Sequence, residues 1–381
     1  MNLALSPDQM AFQHGVARFL AERHDHAAGW TGGACASAWA GLVALGVPGA
    51  CLPERFGGLG YGPVEAMVIC QELGRVVSVE PYLATCVLGA GVLGAGVLQT
   101  AGLAALQDAI LPGVADGSVH LALAYAEPQG RFDPDDVAAT ARRVPGGWRL
   151  DGVKALALNA GRAAHLIVSA RTAGSRRERA GLSLFLLPQD APGLALRRFR
   201  TQDGLDAADL MLDGVMVPDA LLLGQADQGL AVVEAVLEQA NAAVCAMALG
   251  AMEEGLAMTI DYLRLRQQFG RALADFQALQ HRLVELHMIV EETRSLVLAA
   301  TAAMVDADPQ ERHQAVTAAK IHTGQAALQV GQECIQLHGG IGITAEHRIG
   351  RIAKRLLACA TLFGDAAWHT ARYDLATAEE T

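Results

Sequence analysis

Two short segments of this 381-residue chain carry residue types that bind anionic ligands. The first places Arg266, Gln268 and Phe269 directly before a glycine, where a helical pattern breaks. A planar guanidinium at the end of a helix can present two parallel donors to a phosphate. The same residues also fit an ordinary loop between two helices with an exposed arginine, and the sequence alone leaves both interpretations open.

The second segment, QLHGGIG, begins at Gln336 and contains Gly339, Gly340 and Gly342. Glycines let a backbone approach a ligand closely and expose amide groups to an anion. They follow a helical pattern instead of a strand and lack the GxGxxG spacing, which excludes the Rossmann fingerprint. By itself the segment also fits a helix that ends at a glycine.

A third segment, CATLFGDAAW at residues 359–368, places a glycine turn before the last helical pattern. Phe363 cannot accept a proton there, whereas a carboxylate such as Asp365 can act as a general base. Asp365 also stands where a helix N-cap is expected, and we favour this structural role.

Hydrophobic periodicity and turn residues indicate the elements that position these segments. Ser6 and Gln9 form the signature of a capping box at the first helix. Pro145-Gly146-Gly147 marks a hairpin in a β-rich region of short segments. The helices predicted near the N-terminus cover residues 7–24, 36–45, 63–76 and 81–110.

After residue 223 the helical pattern returns, with apolar residues advancing by threes and fours along long segments. Long antiparallel helices with such a seam predict a four-helix bundle. The chain is therefore expected to have an α+β fold. Its predicted domains are a helical domain over 1–118, an antiparallel β domain over 119–222 and a helical bundle over 223–381.

Composition narrows the classes of partner and compartment. The net charge is −11 and no stripe concentrates Lys and Arg, so we expect no binding to nucleic acid or to a membrane. Seven cysteines without a CxxC pair predict free thiols in a reducing, cytoplasmic compartment. The charge-free stretch over 81–107 is rich in Gly and Ala, and we interpret it as a buried helix.

In this order and architecture, the segments resemble the acyl-CoA dehydrogenase family over essentially the whole chain. The family's R-x-Q-F-G, F-Q and Q-x-x-G-G-x-G motifs stand at 266–270, 276–277 and 336–342. The resemblance implies FAD, an acyl-CoA thioester, α,β-dehydrogenation and an electron-transfer flavoprotein as acceptor. It further implies that these motifs reach across a subunit interface to the ADP half of a neighbour's FAD. The cofactor-binding residues it assigns are Arg266, Gln268, Phe269, Gln277, Gln336, Gly339 and Gly340.

The chain departs from the family where a base is needed to remove a proton beside the thioester carbonyl. The family's two usual positions for this base fall on Phe363 and Ala240, and neither side chain accepts a proton. We therefore predict no catalytic residue in this chain. Asp365 and Glu238, each two residues from one of these positions, remain open as substitutes.

The positions that the resemblance places against the flavin ring are altered as well. The family's T-E-P-G-A-G-S becomes AEPQGRF at 126–132, and its W-I-T becomes LAL at 156–158. Threonine and serine hydroxyls and an aromatic lid are thereby lost. The residues that reach a neighbour's FAD all remain, and His338 beside them is expected to pack or stack instead of acting as a base.

The sequence thus predicts a subunit without its own base that completes the FAD site of a homologous dehydrogenase subunit, in a heterotetramer or another oligomer. Within the family it resembles the small subunits of pimeloyl-CoA dehydrogenases. Three alternatives stay open. They are a self-sufficient homotetramer that uses Asp365 or Glu238, a flavin monooxygenase on the same fold, and a non-catalytic scaffold subunit.

Overall fold

The computed structural model of the protein describes residues 5–23, 36–91 and 101–378. Contacts between Cα atoms divide the chain into two compact units, and the division falls inside a long helix. The three predicted domains therefore stay a prediction. The first unit comprises Met1–Thr31, Gly62–Ser78 and Asn241–Thr381, and the second comprises Gly32–Tyr61 and Val79–Ala240.

The first helix begins as its sequence indicates. The Gln9 N–H donates to Ser6 Oγ at 3.2 Å, and the Ser6 N–H donates to Gln9 Oε1 at 2.9 Å, which confirms the capping box. The helices described before the sheet are α1 (Pro7–Arg23), α2 (Ala36–Ala44), α3 (Pro63–Arg75) and α4 (Ala101–Ala115).

The single α-helix predicted over 81–110 does not form as such, because Leu83–Gly89 is a π-helix. A Cβ built on Gly89 would lie 2.4 Å from the Leu121 Cβ, so this segment packs too closely on a strand for a larger residue. Residues 92–100 of the predicted helix lie outside the described ranges.

The β-rich region forms one sheet of eight strands. They are β1 (Leu121–Ala124), β2 (Thr140–Val144), β3 (Gly147–Leu158), β4 (His165–Arg171), β5 (Leu182–Pro188), β6 (Leu194–Arg200), β7 (Asp206–Pro218) and β8 (Leu222–Leu223). Their order is β6-β7-β3-β2-β4-β5-β8, with β1 beside β4. Val144 pairs with Gly147 across the turn, which confirms the predicted hairpin.

The sheet differs from the predicted antiparallel arrangement in one respect. β1 pairs with β4 in parallel, from Leu121 opposite His165 to Ala124 opposite Val168. The β2–β3 hairpin lies between these strands in sequence, so the chain returns to β1 in the same direction. β2 also meets β4 in parallel, at the single pair Thr140 opposite Arg171. The remaining strand pairings in the sheet are antiparallel.

Long helices follow the sheet, as the sequence predicts. The elements are α5 (Gly229–Leu265), β9 (Gln267–Gln268), β10 (Arg271–Ala272), α6 (Gln277–Asp306), α7 (Pro309–His338), α8 (Ile349–Thr361) and α9 (Ala366–Ala378). The sequence analysis missed α8. Its signal is the spacing of Ile349, Ile352 and Leu356, which are all buried.

Among the described residues, α5 is the one helix that is long and apolar enough to cross a membrane. Of its most apolar 18-residue window, 67% is buried inside the protein, as in the core helix of a folded domain. A carboxylate on this helix, Glu253, accepts hydrogen bonds from Gln71 at 2.9 and 3.0 Å and pairs with Arg294 at 2.6 Å and with Arg75. These contacts tie α3 and α6 to α5.

Candidate functional site

A tight hairpin directly follows α5 and presents part of the first motif. Its strands pair Gln268 with Arg271. Phe269 and Gly270 occupy the turn with φ angles of +55° and +80°. Positive φ at both positions is typical of a type I′ turn, in which Asn-Gly is the favoured pair. Phe269 instead holds a strained conformation with its side chain 89% exposed, which points to a role outside the folding of this chain.

Phe276 anchors this hairpin at the start of α6. The Arg271 guanidinium lies 3.9 Å from the centroid of the Phe276 ring, and the Phe269 ring meets the same ring edge-on at 6.1 Å. The Leu273 N–H donates to the Arg266 carbonyl at 2.8 Å. The Arg266 side chain is exposed and has no ionic partner among the described residues. The anchored hairpin thus offers an available guanidinium beside an exposed ring.

The glycine segment forms a 3-10 turn over Gly339–Ile343 at the end of α7. Gly339 has a φ of +66°, which explains its glycine. Gly340 has no positive φ, and nothing lies within 4 Å of a Cβ built on it. Nothing in the described chain therefore requires a glycine at 340, whereas close approach by an external group would. Gln336, one turn earlier, is exposed.

Three neighbouring rings connect the two segments; two of them are stacked, and the third, His347, is tilted by 56° against His338. Tyr262, one turn before the end of α5, stacks on His338 with ring centroids 4.6 Å apart and 21° between the planes. His347 lies 4.7 Å from His338. His338 is 3% exposed, and its Nδ1–H donates to the Cys334 carbonyl at 2.8 Å. His338 therefore stacks, as the sequence analysis expects.

The turn between α8 and α9 holds the first of the two usual base positions of the resembling family. Phe363 is buried with a φ of +59°, and its carbonyl accepts a hydrogen bond from His369 Nε2 at 3.2 Å. Burial lowers the pKa of His369 to about 3, so the ring stays neutral. Asp365 Oδ1 accepts from the Trp368 N–H at 2.8 Å. Asp365 thus makes the helix-capping contact that the sequence predicts.

The second base position lies on α5. Ala240 is fully buried, and Glu238 is half-buried on the same helix. Neither usual position therefore carries a proton acceptor.

The two segments that the resemblance places against the flavin ring lie in the second unit, at 126–132 in the loop after β1 and at 156–158 at the end of β3. The Ala155 N–H donates to the Ala126 carbonyl at 2.9 Å and joins them. Arg131 and Leu156 have φ angles of +50° and +52°, and both side chains are exposed. The resemblance places a glycine at 131. The chain therefore keeps a glycine-like backbone shape there and changes the side chain.

Glu127, in the first of these segments, is a structural carboxylate. Its Oε1 lies 2.7 Å from Lys154 Nζ, and its Oε2 accepts from the Ala138 N–H at 2.8 Å. Burial raises the pKa of Glu127, but the Lys154 ammonium and these hydrogen bonds outweigh burial and hold that pKa below its usual value. Glu127 is thus an ionised anchor for the loop that carries Arg131.

The structure groups the sequence-predicted site residues in the first unit. Arg266, Gln268 and Phe269 share one hairpin, and Gln277 is exposed at the start of α6. The end of α7 and the turn that follows it carry Gln336, Gly339 and Gly340. Sequence reasoning missed Tyr262 and His347, whose only signal is that Tyr262 precedes Arg266 by one helical turn.

No cluster of three or more His, Cys, Asp or Glu side chains within the described ranges could hold a metal ion. No disulfide bond joins the six cysteines of these ranges. The two exposed segments offer a guanidinium that can bind an anion and an aromatic ring that can stack on a flat group.

Comparison with known proteins finds relatives that are similar over most of this chain. The short-chain specific acyl-CoA dehydrogenase of Megasphaera elsdenii is 26% identical over 314 residues, which cover 81% of this chain and 81% of that protein. Among solved structures, a variant of the Tcur3481-Tcur3483 steroid ACAD is 32% identical with a TM-score of 0.85, covering 98% of each chain. The ChsE4-ChsE5 complex from Mycobacterium tuberculosis shares the fold, with 24% identity, a TM-score of 0.88, and 100% and 99% coverage.

Three domain models of one family match the chain in order. The N-terminal domain of acyl-CoA dehydrogenase matches residues 6–118, the middle domain matches 122–215 and the C-terminal domain matches 227–372. Since these matches span nearly all of the sequence, the chain belongs to the acyl-CoA dehydrogenase family.

Proposed function

We propose that this chain is a subunit of an FAD-dependent acyl-CoA dehydrogenase that lacks its own base and completes the flavin site of a homologous subunit. FAD is the cofactor of the family and, when bound, takes the hydride from the β carbon of an acyl-CoA thioester. Electrons would leave through an electron-transfer flavoprotein. The chain itself would bind and orient, while its partner removes the α proton.

One contrast carries the proposal. Phe363 and Ala240 occupy the two family base positions, and both are buried residues without a proton acceptor. Arg266 and Phe269 stand at positions that in the family reach a neighbour's FAD. Both residues are retained in this chain, and both are exposed. A chain that bound only its own flavin would have no need to expose Arg266 and Phe269 while it lacks a proton acceptor at positions 363 and 240.

The chemistry of the two exposed segments fits the ADP half of FAD. The Arg266 guanidinium suits a pyrophosphate, because its planar donors match paired phosphate oxygens. Phe269 offers a ring face to an adenine, and Gln268 offers an amide beside it. The open space above Gly340 lets backbone approach the cofactor closely. Gln336 and Gln277 would border the same end.

Large exposed apolar side chains lie beside both segments, as expected for a surface that another subunit covers. Leu265 is 82% exposed and Ile343 is 79% exposed, and they flank the two segments. On α7 the exposed face from residue 325 to 336 carries only uncharged side chains, namely Gln325, Leu328, Gln329, Gln332 and Gln336. The Tcur3481-Tcur3483 steroid ACAD and the ChsE4-ChsE5 complex each combine two different proteins, which supports a partner subunit for this chain.

The test is flavin retention. The chain is purified alone and together with a co-expressed base-carrying acyl-CoA dehydrogenase subunit, and flavin per chain is read from the absorbance spectrum. We expect little flavin in the lone chain and stoichiometric flavin in the complex. Arg266→Ala should weaken flavin binding by the complex roughly tenfold or more, since a charge-assisted hydrogen bond contributes about 1.5–3 kcal/mol.

Arg264→Ala is the matched control, because Arg264 is an exposed arginine of the last turn of α5 and lies outside the motif. Unchanged flavin retention in the Arg266→Ala complex would overturn the assignment. Flavin that bleaches with an acyl-CoA thioester in the lone chain would instead support a self-sufficient enzyme, with Asp365 and Glu238 as the first residues to replace.

A further inference from the structure

We propose that His338 is a positioning residue that fixes the spacing between the two exposed segments through the Tyr262–His338–His347 ring stack, and that protonation of the stack releases them. The inference rests on the proposed function, because it assigns the two segments to one cofactor. In this inference, His338 acts without touching the cofactor or the substrate. The spacing between the two segments then depends on pH.

The connectivity of the stack carries the argument. Tyr262 lies one turn before Arg266, and the Arg266 N–H donates to the Tyr262 carbonyl at 2.8 Å. His338 directly precedes Gly339 and Gly340. The face-to-face contact of the two rings, 4.6 Å between centroids, therefore links the residues that lead into the hairpin to those that lead into the glycine turn. A shift of either ring moves one segment relative to the other.

His347 holds the stack from the segment that leads into α8. Its ring centroid lies 4.7 Å from that of His338 and 6.4 Å from that of Tyr262. The Ile349 N–H donates to His347 Nδ1 at 3.3 Å, which fixes this ring to the helix start. The next residue, Arg348, pairs with Glu254 of α5 at 2.9 Å. The stack thus holds the glycine turn through His338, which precedes the turn, and through His347, which follows it.

The hydrogen bonds define neutral imidazoles. His338 Nδ1 faces a carbonyl oxygen, Cys334 O, so Nδ1 must carry the proton and Nε2 is a bare lone pair. That Nε2 atom is buried and has no hydrogen-bond partner among the residues that the structure describes. His347 Nδ1 accepts a hydrogen bond, so its proton lies on Nε2. A proton added to His338 Nε2 would create a buried cation without an acceptor.

The groups around His338 give this cation no compensation. Tyr262 faces it from α5, Cys334 from α7 and His347 from the segment before α8, and none is a carboxylate. Burial lowers the pKa of His338, and His347 lowers it further, although the bond to Cys334 acts in the opposite sense. Burial also lowers the pKa of His347. Burial raises the pKa of the Cys334 thiol to about 11, so that thiol stays uncharged.

The sign of the pH effect follows. Because the pKa of both imidazoles is lower in the closed stack than in an opened or unfolded chain, the open form binds protons first. The stack is fully stabilised above pH 6.5, the ordinary value for histidine, and loses stability as the pH falls below it. The two segments should therefore separate in mild acid.

Two variants separate the ring contact from its titration. His338→Phe keeps a ring against Tyr262 and cannot be protonated, whereas His338→Ala removes the ring. His14→Phe is the control, since His14 is exposed on α1. The first measurement uses the chain alone, with amide hydrogen exchange of residues 262–272 and 336–348 followed at pH 7.5 and 5.5 after correction for intrinsic rates.

We expect wild type and His14→Phe to lose protection in both segments together between pH 7.5 and 5.5. His338→Phe should keep its protection at both values, and His338→Ala should lack it at both. Equal pH responses of wild type and His338→Phe would overturn the inference. A loss confined to one segment would do the same, because the stack would then not couple them.

The second measurement uses the complex with the base-carrying subunit and compares the rate of flavin loss at the two pH values. We expect flavin loss from wild type to accelerate at least threefold at pH 5.5 relative to pH 7.5, and that from His338→Phe to stay constant. If exchange shows the coupled opening but flavin loss from the complex is unaffected by Arg266→Ala, the proposed function fails while the coupling stands. If Arg266→Ala releases flavin but both His338 variants behave as wild type, the coupling fails alone.

Discussion

At the scale of single residues, four of the seven non-glycine residues with a positive φ in the described ranges lie in the segments that the resemblance assigns to the flavin or to the base. Arg131, Leu156, Phe269 and Phe363 all have φ angles between +50° and +59°. A left-handed conformation costs a residue other than glycine about 1–2 kcal/mol. The chain therefore keeps the backbone turns of these segments even where the side chain cannot perform the family's chemistry, as at Phe363.

Buried charge at the residue scale gives a stability prediction. Glu127→Gln leaves the fully buried Lys154 without its counter-charge, so we expect the free energy of unfolding to fall by about 3–5 kcal/mol. Asp219→Asn, which breaks the exposed pair with Arg143, should change it by less than about 1 kcal/mol. Urea unfolding of both variants checks this. Equal losses would show that burial does not set the strength of these pairs.

At the scale of elements, the β9–β10 hairpin and the end of α7 act as two short arms on long helices. Asn-Gly would suit this turn better than Phe269-Gly270, so the stability of the hairpin does not explain the phenylalanine at this position. α7 ends where Gly339 takes a φ of +66°, so the next turn departs from the helix axis. The arms are small, and their relative position depends on the rings between them.

The hairpin gives a prediction of opposite effects from one change. Phe269→Asn should raise the free energy of unfolding by about 0.5–1 kcal/mol, because asparagine tolerates positive φ. The same variant should lose flavin faster in the complex, because the exposed ring is gone. Val77→Asn is the matched control, since Val77 has the same φ of +55° and lies outside both arms. Unchanged flavin retention in Phe269→Asn would remove Phe269 from the site.

At the scale of the whole molecule, buried neutral histidines make the folded state sensitive to acid. His369 donates to the Phe363 carbonyl and is 5% exposed, and its pKa falls to about 3. In the unfolded chain the ordinary value is about 6.5, so the unfolded state binds the proton first as the pH falls. The contribution of His369 is therefore complete above pH 6.5 and is lost progressively down to about pH 3.

His369→Gln tests this contribution, because glutamine keeps an N–H donor and does not titrate. Wild type should lose about 2 kcal/mol through His369 between pH 6.5 and pH 5, and the variant should lose correspondingly less. Chemical unfolding at both pH values measures the difference, with exposed His14→Gln as a control. Parallel pH profiles for wild type and His369→Gln would contradict the assignment.

The sequence by itself determined the family, the α+β fold and the residues of both arms. R-x-Q-F-G and Q-x-x-G-G are local patterns, and helix caps such as Ser6 with Gln9 depend on neighbours three residues apart. The presence of Phe363 and Ala240 at the two usual base positions could be predicted for the same reason, since both follow from counting along the chain. The cap at Asp365 was legible too, because a helix start is a local structure.

Only the tertiary structure decided which distant residues meet. Tyr262, His338 and His347 are up to 85 residues apart in the sequence, and no spacing rule connects them. The tertiary structure also determines the role of a side chain whose residue type allows several. Glu127 has a structural role because it forms a buried ion pair with Lys154. The parallel pairing of β1 with β4 and the helix α8 depended on long-range packing as well. Local preference sets the turns and motifs of this chain, whereas desolvation and ring contacts across elements set how the arms are held.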